Sequence, residues 1–237
     1  MKWGGKREES AQLGLLGDLD RTEHTPQVTA SPNAQRWTTR EQVDMLLAHP
    51  RIQEVWPTGD YVAADPCAGT GQLMRYVDAV ATSHGLVPPR YWGATELDAK
   101  LARSPARYRG ALRHGVLRGK GYSVAWETGD AARLEEHAGV RLVITNLPWF
   151  NVFARLVGHW RDVAFPNALV IALCDDQERT RESARRWLEA GNMPALIAQL
   201  PGRQSFDGAE DGAYPWSVSW YVWRPGERRT TSEVILL

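Results

Sequence analysis

An acidic residue followed by a glycine-rich turn is the part of this sequence most typical of ligand binding. It reads Asp65-Pro-Cys-Ala-Gly-Thr-Gly71. Glycine has no Cβ and tolerates positive φ, so Gly69 and Gly71 would let bare backbone approach a ligand closely. A dinucleotide-binding turn would carry a third glycine where this chain has Met74. A smaller nucleoside with a charged amino-acid arm fits instead, and this description matches S-adenosylmethionine.

Acidic residues also follow the next two expected strands. Glu96 comes roughly 25 residues after the turn, where an acid can accept hydrogen bonds from both ribose hydroxyls. Asp98 lies on the same side of that strand and is a competing or supporting candidate. Asp130 could accept from the adenine amino group or, equally well, cap a helix. Although a glycine turn alone is also an ordinary strand-to-helix turn, three such strand ends in succession favour a nucleoside pocket.

A second motif, Asn-Leu-Pro-Trp, follows the fourth expected strand. An adenine N6 is a poor nucleophile because its lone pair is delocalised into the ring. The Asn146 amide oxygen and the Leu147 carbonyl could accept its two hydrogens and favour a tetrahedral nitrogen in line with a methyl sulfonium. Pro148 would stiffen the turn, and Trp149 or, second, Phe150 would stack on an extruded base. The alternative is a rigid turn with a core tryptophan.

Alternating strands and helices must bring the two motifs together. The hydrophobic pattern predicts strands over 60–65, 91–97, 122–127, 141–145, 168–174, 195–200 and 216–223. It predicts helices over 72–84 and 177–190 and a capped helix that starts at Thr38-Thr39, with 99–119 helical or irregular. This alternation indicates a doubly wound, mostly parallel α/β sheet with an antiparallel C-terminal strand. Both motifs would then lie at the carboxyl edge of the sheet.

The two motifs resemble motifs I and IV of amino-group DNA methyltransferases, whose catalytic tetrapeptide is usually Asp or Asn, Pro, Pro and an aromatic residue. More narrowly, residues 37–224 resemble the small N6-adenine DNA methyltransferases of phages and prophages. The resemblance implies a seven-stranded class I methyltransferase sheet and methyl transfer from S-adenosylmethionine to N6 of a flipped adenine in DNA. Leu147 replaces the usual first proline but keeps its carbonyl. Asn-Leu-Pro-aromatic also resembles the rRNA adenine dimethyltransferases.

Flanking segments extend the resemblance. Trp37-Thr38 is similar to the segment that covers the cofactor's methionine end, although Thr39 replaces the expected proline. Residues 203–206 resemble an Arg-x-Ser-Phe segment, and 214–223 resemble a terminal aromatic strand. We therefore expect the cofactor, without a metal, to contact Trp37, Thr38, Asp65, Pro66, Cys67, Ala68, Gly69, Gly71, Glu96, Leu97, Asp130, Ala131 and Asn146. We expect the substrate to contact Trp149, Phe150, Arg203, Ser205 and Phe206.

Length and composition suit a single domain. The chain has 237 residues and equal numbers of basic and acidic side chains, 28 of each. We expect a flexible tail over 1–35, a methyltransferase domain over 36–226 and a C-terminal tail over 227–237. Cys67 and Cys174 form no CxxC pair, which fits a reducing cytoplasm rather than a disulfide framework or a zinc site. No signal peptide or membrane-spanning run is evident, so a cytoplasmic protein is expected.

The nucleic-acid partner is less marked in the sequence. Zero net charge counts mildly against a dedicated nucleic-acid binder, but residues 100–120 carry basic side chains and no acid. They could bind phosphates or form a solvated helix face. Without a separate recognition domain, three alternatives are open: loops provide a short specificity, the protein accepts single-stranded as well as double-stranded DNA, or a partner subunit recognises the target. The alternatives are methylation of RNA or a protein amide, and a silent cofactor-binding subunit in which Leu147 marks decay.

Overall fold

The computed structural model describes residues 38–96, 115–119, 122–148, 152–202, 204–206 and 217–237, and only the backbone of 115–119 and 122–128. The expected N-terminal tail and nearly all of the basic segment lie outside these ranges. So do five of the predicted site residues, namely Trp37, Leu97, Trp149, Phe150 and Arg203.

One mixed sheet organises the described chain. Its strands are β1 Val62–Asp65, β2 Tyr91–Glu96, β3 Gly115–Gly119, β4 Tyr122–Thr128, β5 Val140–Asn146, β6 Leu169–Asp175, β7 Leu196–Gln199, β8 Val218–Trp223 and β9 Glu233–Leu236. They lie in the order β3-β4-β2-β1-β5-β6-β8-β7-β9. The five strands β4, β2, β1, β5 and β6 are mutually parallel, whereas β8 is antiparallel to both β6 and β7. The predicted fold class is confirmed. In the spatial order just given, the seven strands β4, β2, β1, β5, β6, β8 and β7 form the expected mostly parallel sheet.

Helices cover both faces of the sheet. They are α1 Arg40–Ala48, α2 Pro50–Gln53, α3 Gln72–Ser83, α4 Phe153–His159 and α5 Glu182–Glu189, and a π-helical segment, Trp160–Ala164, continues α4. A capping box starts α1, since the Thr39 side chain accepts from the Gln42 N–H and the Gln42 side chain accepts from the Thr39 N–H. Among the described residues, none of the helices is both long and apolar enough to cross a membrane.

The hydrophobic core divides into two layers because side chains alternate across each strand. Ala63, Leu142 and Ile144 pack with α1 and α3 on one face. On the other face, Ala64 and Val143 pack with α4 and α5. The sheet is therefore held on both sides, which fixes the positions of its strand ends.

Two strands extend the sheet beyond the seven that were expected, and each corrects a prediction. Residues 115–119 were expected to be helical or irregular, but β3 pairs antiparallel with β4. Residues 227–237 were expected to be a tail, but β9 pairs in parallel with β7. Both strands are short, at five and four residues, so their sequences show little periodicity. These two segments are strands because they pair with a neighbouring strand, and local sequence does not show that pairing.

Two substitutions in β9 test this correction. Ile235 is 9% exposed and faces the core, whereas Val234 on the same strand is 59% exposed. Ile235→Ala should lower the free energy of unfolding by about 2 to 4 kcal/mol, because it removes buried methylenes. Val234→Ala should change it by less than about 0.5 kcal/mol. Urea titration of both variants measures the difference, and equal small effects would mean that β9 is not part of the folded sheet.

Candidate active site

The predicted site residues of the two motifs meet at one edge of the sheet. Asp65 ends β1, Glu96 ends β2 and Asn146 ends β5, and β1 lies between the other two strands. Asp130 follows the end of β4, which pairs with β2. Because these strands are parallel, all four residues lie at the carboxyl edge, where ligands bind in open α/β sheets.

The glycine turn folds over the end of the neighbouring strand. Gly69 and Gly71 have φ values of 54° and 76°, in the left-handed region that glycine tolerates best. The Ala68 N–H donates to the Thr95 carbonyl at 3.0 Å, and the Gly69 N–H donates to Glu96 Oε2 at 2.7 Å. These bonds attach the turn to the end of β2. They also hold the Glu96 carboxylate against the backbone of the turn.

Asp65 lies beneath this turn, inside the protein. It is 1% exposed, and its Oδ1 accepts from the Thr145 hydroxyl at 2.7 Å and from the Cys67 N–H at 3.2 Å. Burial raises the pKa of the Asp65 carboxyl to about 7, the two hydrogen bonds lower it, and the nearby charge of Glu96 raises it. Thr145 directly precedes Asn146 on β5. Asp65 therefore connects the glycine turn to the strand that carries the second motif.

Asp130 caps a short 3₁₀ helix, Ala131–Arg133, which is one of the two roles predicted for it. Its Oδ1 accepts from the Ala132 N–H at 2.9 Å, and its Oδ2 lies 3.6 Å from Nε of Arg133 in an exposed pair. The Ala131 carbonyl accepts from the Trp160 indole N–H at 2.9 Å. The side chain of Asp130 is still 38% exposed, so capping leaves part of the carboxylate accessible.

The second motif is held by the sheet on one side. Asn146 pairs with Leu173 of β6, and the Leu147 N–H donates to the Leu173 carbonyl at 3.1 Å. A proline at this position has no N–H and could not make that bond. The Leu147 side chain is 3% exposed and packs in the core with Phe153. Pro148, which follows, is exposed. Leucine at 147 therefore continues the β5–β6 ladder one residue past the strand.

The two flanking segments lie against each other. The Gln42 side chain on α1 donates to Gln204 Oε1 at 3.1 Å and to the Ser205 carbonyl at 3.2 Å. Thr38, just before α1, is 3% exposed, and Ser205 is exposed. Phe206, which was expected to contact the substrate from its resemblance to an Arg-x-Ser-Phe segment, is 4% exposed and packs in the core. The same core layer contains apolar side chains of α1 and α3.

Acidic residues at the end of β6 were missed by the sequence analysis. Asp175 and Asp176 are 6% and 9% exposed. Asp176 accepts from the Tyr221 hydroxyl at 2.5 Å and from the Ser219 hydroxyl at 3.1 Å, which ties the end of β6 to β8. Burial, followed by the charge of Asp176, raises the pKa of Tyr221 well above its usual value. The signal was present, because acidic residues stand at the end of an apolar strand here as at β1 and β2.

Solved structures identify the fold to which this edge belongs. The methyltransferase subunit of a type I restriction-modification system from Streptococcus thermophilus is similar, with a TM-score of 0.57 and 11% identity over 86% of this chain. A protein from Listeria monocytogenes, provisionally assigned as a class I S-adenosylmethionine-dependent methyltransferase, has a TM-score of 0.56 and 14% identity over 95% of this chain and 70% of its own. The fold is that of a class I methyltransferase.

A class I fold is compatible with several substrates. The 23S rRNA methyltransferase ErmE is similar, with a TM-score of 0.52 and 14% identity over 82% of this chain and 71% of its own. This chain covers 48% of the Streptococcus subunit, so it spans about half the length of that protein. No protein-family model matches the sequence, and no curated protein matches it significantly.

The buried Asp65 carboxyl predicts a pH dependence of stability. Its folded pKa of about 7 lies above the unfolded value of about 3.9, so the folded state holds an extra proton between these values. Stability from the protonated form is therefore lost as pH rises through about 7. Asp65→Asn, which stays neutral, should reduce the fall in unfolding free energy from about pH 5 to about pH 8 by about 2 to 3 kcal/mol.

Chemical denaturation of both proteins at the two pH values checks this prediction. Burial also raises the pKa of Asp78 to about 7, but Asp78 contributes the same slope to wild type and variant. Subtracting one profile from the other thus isolates Asp65. If the unfolding free energy falls equally with pH in the two proteins, the Asp65 carboxyl of the folded protein titrates near its unfolded pKa, which would contradict the prediction.

Proposed function

We propose that this protein transfers a methyl group from S-adenosylmethionine to the exocyclic N6 of adenine in DNA. The proposal depends on one observation above the others. The glycine turn, Glu96 and Asn146 lie at the ends of neighbouring parallel strands, at the carboxyl edge of a class I methyltransferase sheet. A nucleoside at the turn and a base at Asn146 would then share one crevice.

The residues at this edge fit S-adenosylmethionine. Backbone at Gly69 and Gly71 can approach the ligand, and a carboxylate can accept about four hydrogen bonds, so Glu96 can bind ribose hydroxyls as well as the Gly69 N–H. The accessible part of Asp130 would accept from the adenine amino group. Thr38 Oγ1 is buried and has no hydrogen-bond partner among the described residues, which suits a contact to the methionine end. The bound cofactor supplies an electrophilic methyl group.

Asn146 and Leu147 would prepare the target nitrogen. The Asn146 amide oxygen and the Leu147 carbonyl each accept a hydrogen bond from one of the two N6–H groups. These bonds draw the nitrogen lone pair out of conjugation with the ring. The Leu147 N–H bond to Leu173 restrains the residue that carries this carbonyl. Pre-positioned acceptors need little reorganisation during the reaction, and that is the main contribution expected from the protein.

DNA is the proposed substrate for two reasons. The paired motifs resemble those of amino-group DNA methyltransferases, and two of the similar structures are type I restriction methyltransferases, one of them the EcoKI M protein. This chain covers 48% and 47% of those two proteins.

RNA is the second candidate substrate, and Leu147 is the observation in its favour. Asn-Leu-Pro followed by an aromatic residue also resembles the motif of rRNA adenine dimethyltransferases. The 23S rRNA methyltransferase ErmE is among the similar structures. The roles of Asn146 and Leu147 would be the same on an RNA adenine, so only a comparison of substrates distinguishes the two.

Transfer of labelled methyl groups tests the proposal. The purified protein is incubated with labelled S-adenosylmethionine and double-stranded DNA, single-stranded DNA or rRNA, and the products are digested to nucleosides. We expect N6-methyldeoxyadenosine. Asn146→Ala should lower the rate about 100-fold to 1,000-fold, because one acceptor at the reacting nitrogen is lost. Gln53→Ala, on α2 with its amide bound to the Leu47 carbonyl, is the matched control and should retain full activity.

The distribution of label decides between the substrates. Label only in RNA would replace DNA with RNA as the substrate. Absence of label on all three nucleic acids, despite measurable cofactor binding, would contradict a stand-alone enzyme. Equal rates for Asn146→Ala and wild type would remove Asn146 from the catalytic role.

A further inference from the structure

A second cleft lies at the opposite, amino edge of the sheet. It has a volume of about 620 Å³ and is lined by Arg51 of α2, Arg141 at the start of β5 and Arg224 after the end of β8. Trp223 pairs with Val170 near the start of β6, which brings Arg224 to this edge. Since Arg141 lies five residues before Asn146 on β5, the cleft is about 17 Å from Asn146. It is therefore separate from the proposed active site.

The positive charge in the cleft is only partly compensated. Arg51 binds Glu233 through both carboxylate oxygens, at 3.1 and 2.7 Å, and also pairs with Glu54. Arg141 and Arg224, by contrast, make no ion pair with any residue in the described ranges. Three guanidinium groups thus face two carboxylates. Both carboxylates are hydrogen-bonded to Arg51, and the charge of Arg224 also acts on Glu233.

The guanidinium group of Arg224 makes no hydrogen bond with the described residues. Its Nε–H is enclosed by the protein, whereas the half-buried side chain as a whole lines the cleft. A ligand in the cleft would therefore meet the terminal amino groups of Arg224, which can donate charge-assisted hydrogen bonds. Arg141 is exposed at the mouth of the cleft and can reach the same ligand. The cleft therefore provides two guanidinium groups for one anion.

We propose that this cleft binds a phosphate group, either of a small phosphorylated compound or of a nucleic-acid backbone. A single carboxylate has two oxygens, which one arginine can occupy in a bidentate pair. A phosphate has oxygens left for a second guanidinium, and arginine suits this geometry better than lysine. The volume is within the range of small-ligand sites. The proposal does not depend on the methyltransferase reaction at the other edge.

Titration with inorganic phosphate tests the cleft directly. The Nε–Hε resonances of the full chain are followed by NMR, with chloride added to keep the ionic strength constant. We expect the Arg224 signal to shift and saturate. Arg141→Gln combined with Arg224→Gln should weaken phosphate binding at least about tenfold, because charge-assisted hydrogen bonds are lost. Arg90→Gln is the control, since Arg90 lies just before β2 and pairs with Asp60 in an exposed ion pair.

A second arm identifies the source of the phosphate. Binding of a short single-stranded DNA is measured by fluorescence anisotropy with the same variants. A loss of DNA affinity in the double variant indicates the backbone, whereas a loss of phosphate affinity alone indicates a small compound. Arg141→Gln alone, at an exposed position, covers the case in which the double variant does not fold. Unchanged phosphate and DNA affinities in these variants, or no shift of Arg224, would overturn the proposal.

Discussion

The hydrogen bond between the Thr145 hydroxyl and the Asp65 carboxylate is the contact on which the candidate site depends. It joins β1 to β5 at the point where each strand ends, and it is buried from solvent. Asp65 also accepts from the Cys67 N–H, so the same carboxyl shapes the glycine turn. Thr145 directly precedes Asn146. The two motifs are thus adjacent both along the sheet edge and through one pair of side chains.

This contact also constrains how the site can work. Burial of a carboxyl raises its pKa, here to about 7, and its hydrogen bonds oppose that shift. Replacement of Asp65 or Thr145 by a side chain without the matching polar group would break the connection between the glycine turn and β5. The Gly69 N–H bond to Glu96 continues the connection to β2. Three neighbouring strand ends are therefore held in one arrangement before any ligand binds, which favours pre-organised binding.

The sequence predicted the positions of the site residues better than their environments. Periodicity located the strand ends at Asp65, Glu96 and Asn146, because acids and glycines after apolar runs are visible locally. It did not show that Asp65 turns inward to Thr145, or that Phe206 packs in the core, because both depend on residues far away in the chain. The strands β3 and β9 were missed for the same reason, since their order comes from pairing with β4 and β7.

Replacement of Thr145 by valine is the measurement that tests this account most directly. Valine keeps the branched shape but removes the hydroxyl, so Asp65 Oδ1 keeps only its bond from the Cys67 N–H, and loss of one buried hydrogen bond to a carboxyl costs about 1 to 3 kcal/mol. We expect the affinity for S-adenosylmethionine, measured by calorimetry, to fall about tenfold. Thr145→Ser should restore it, and Thr82→Val on the exposed side of α3 should not change it. Wild-type affinity in Thr145→Val would contradict the claim that this bond positions the cofactor turn.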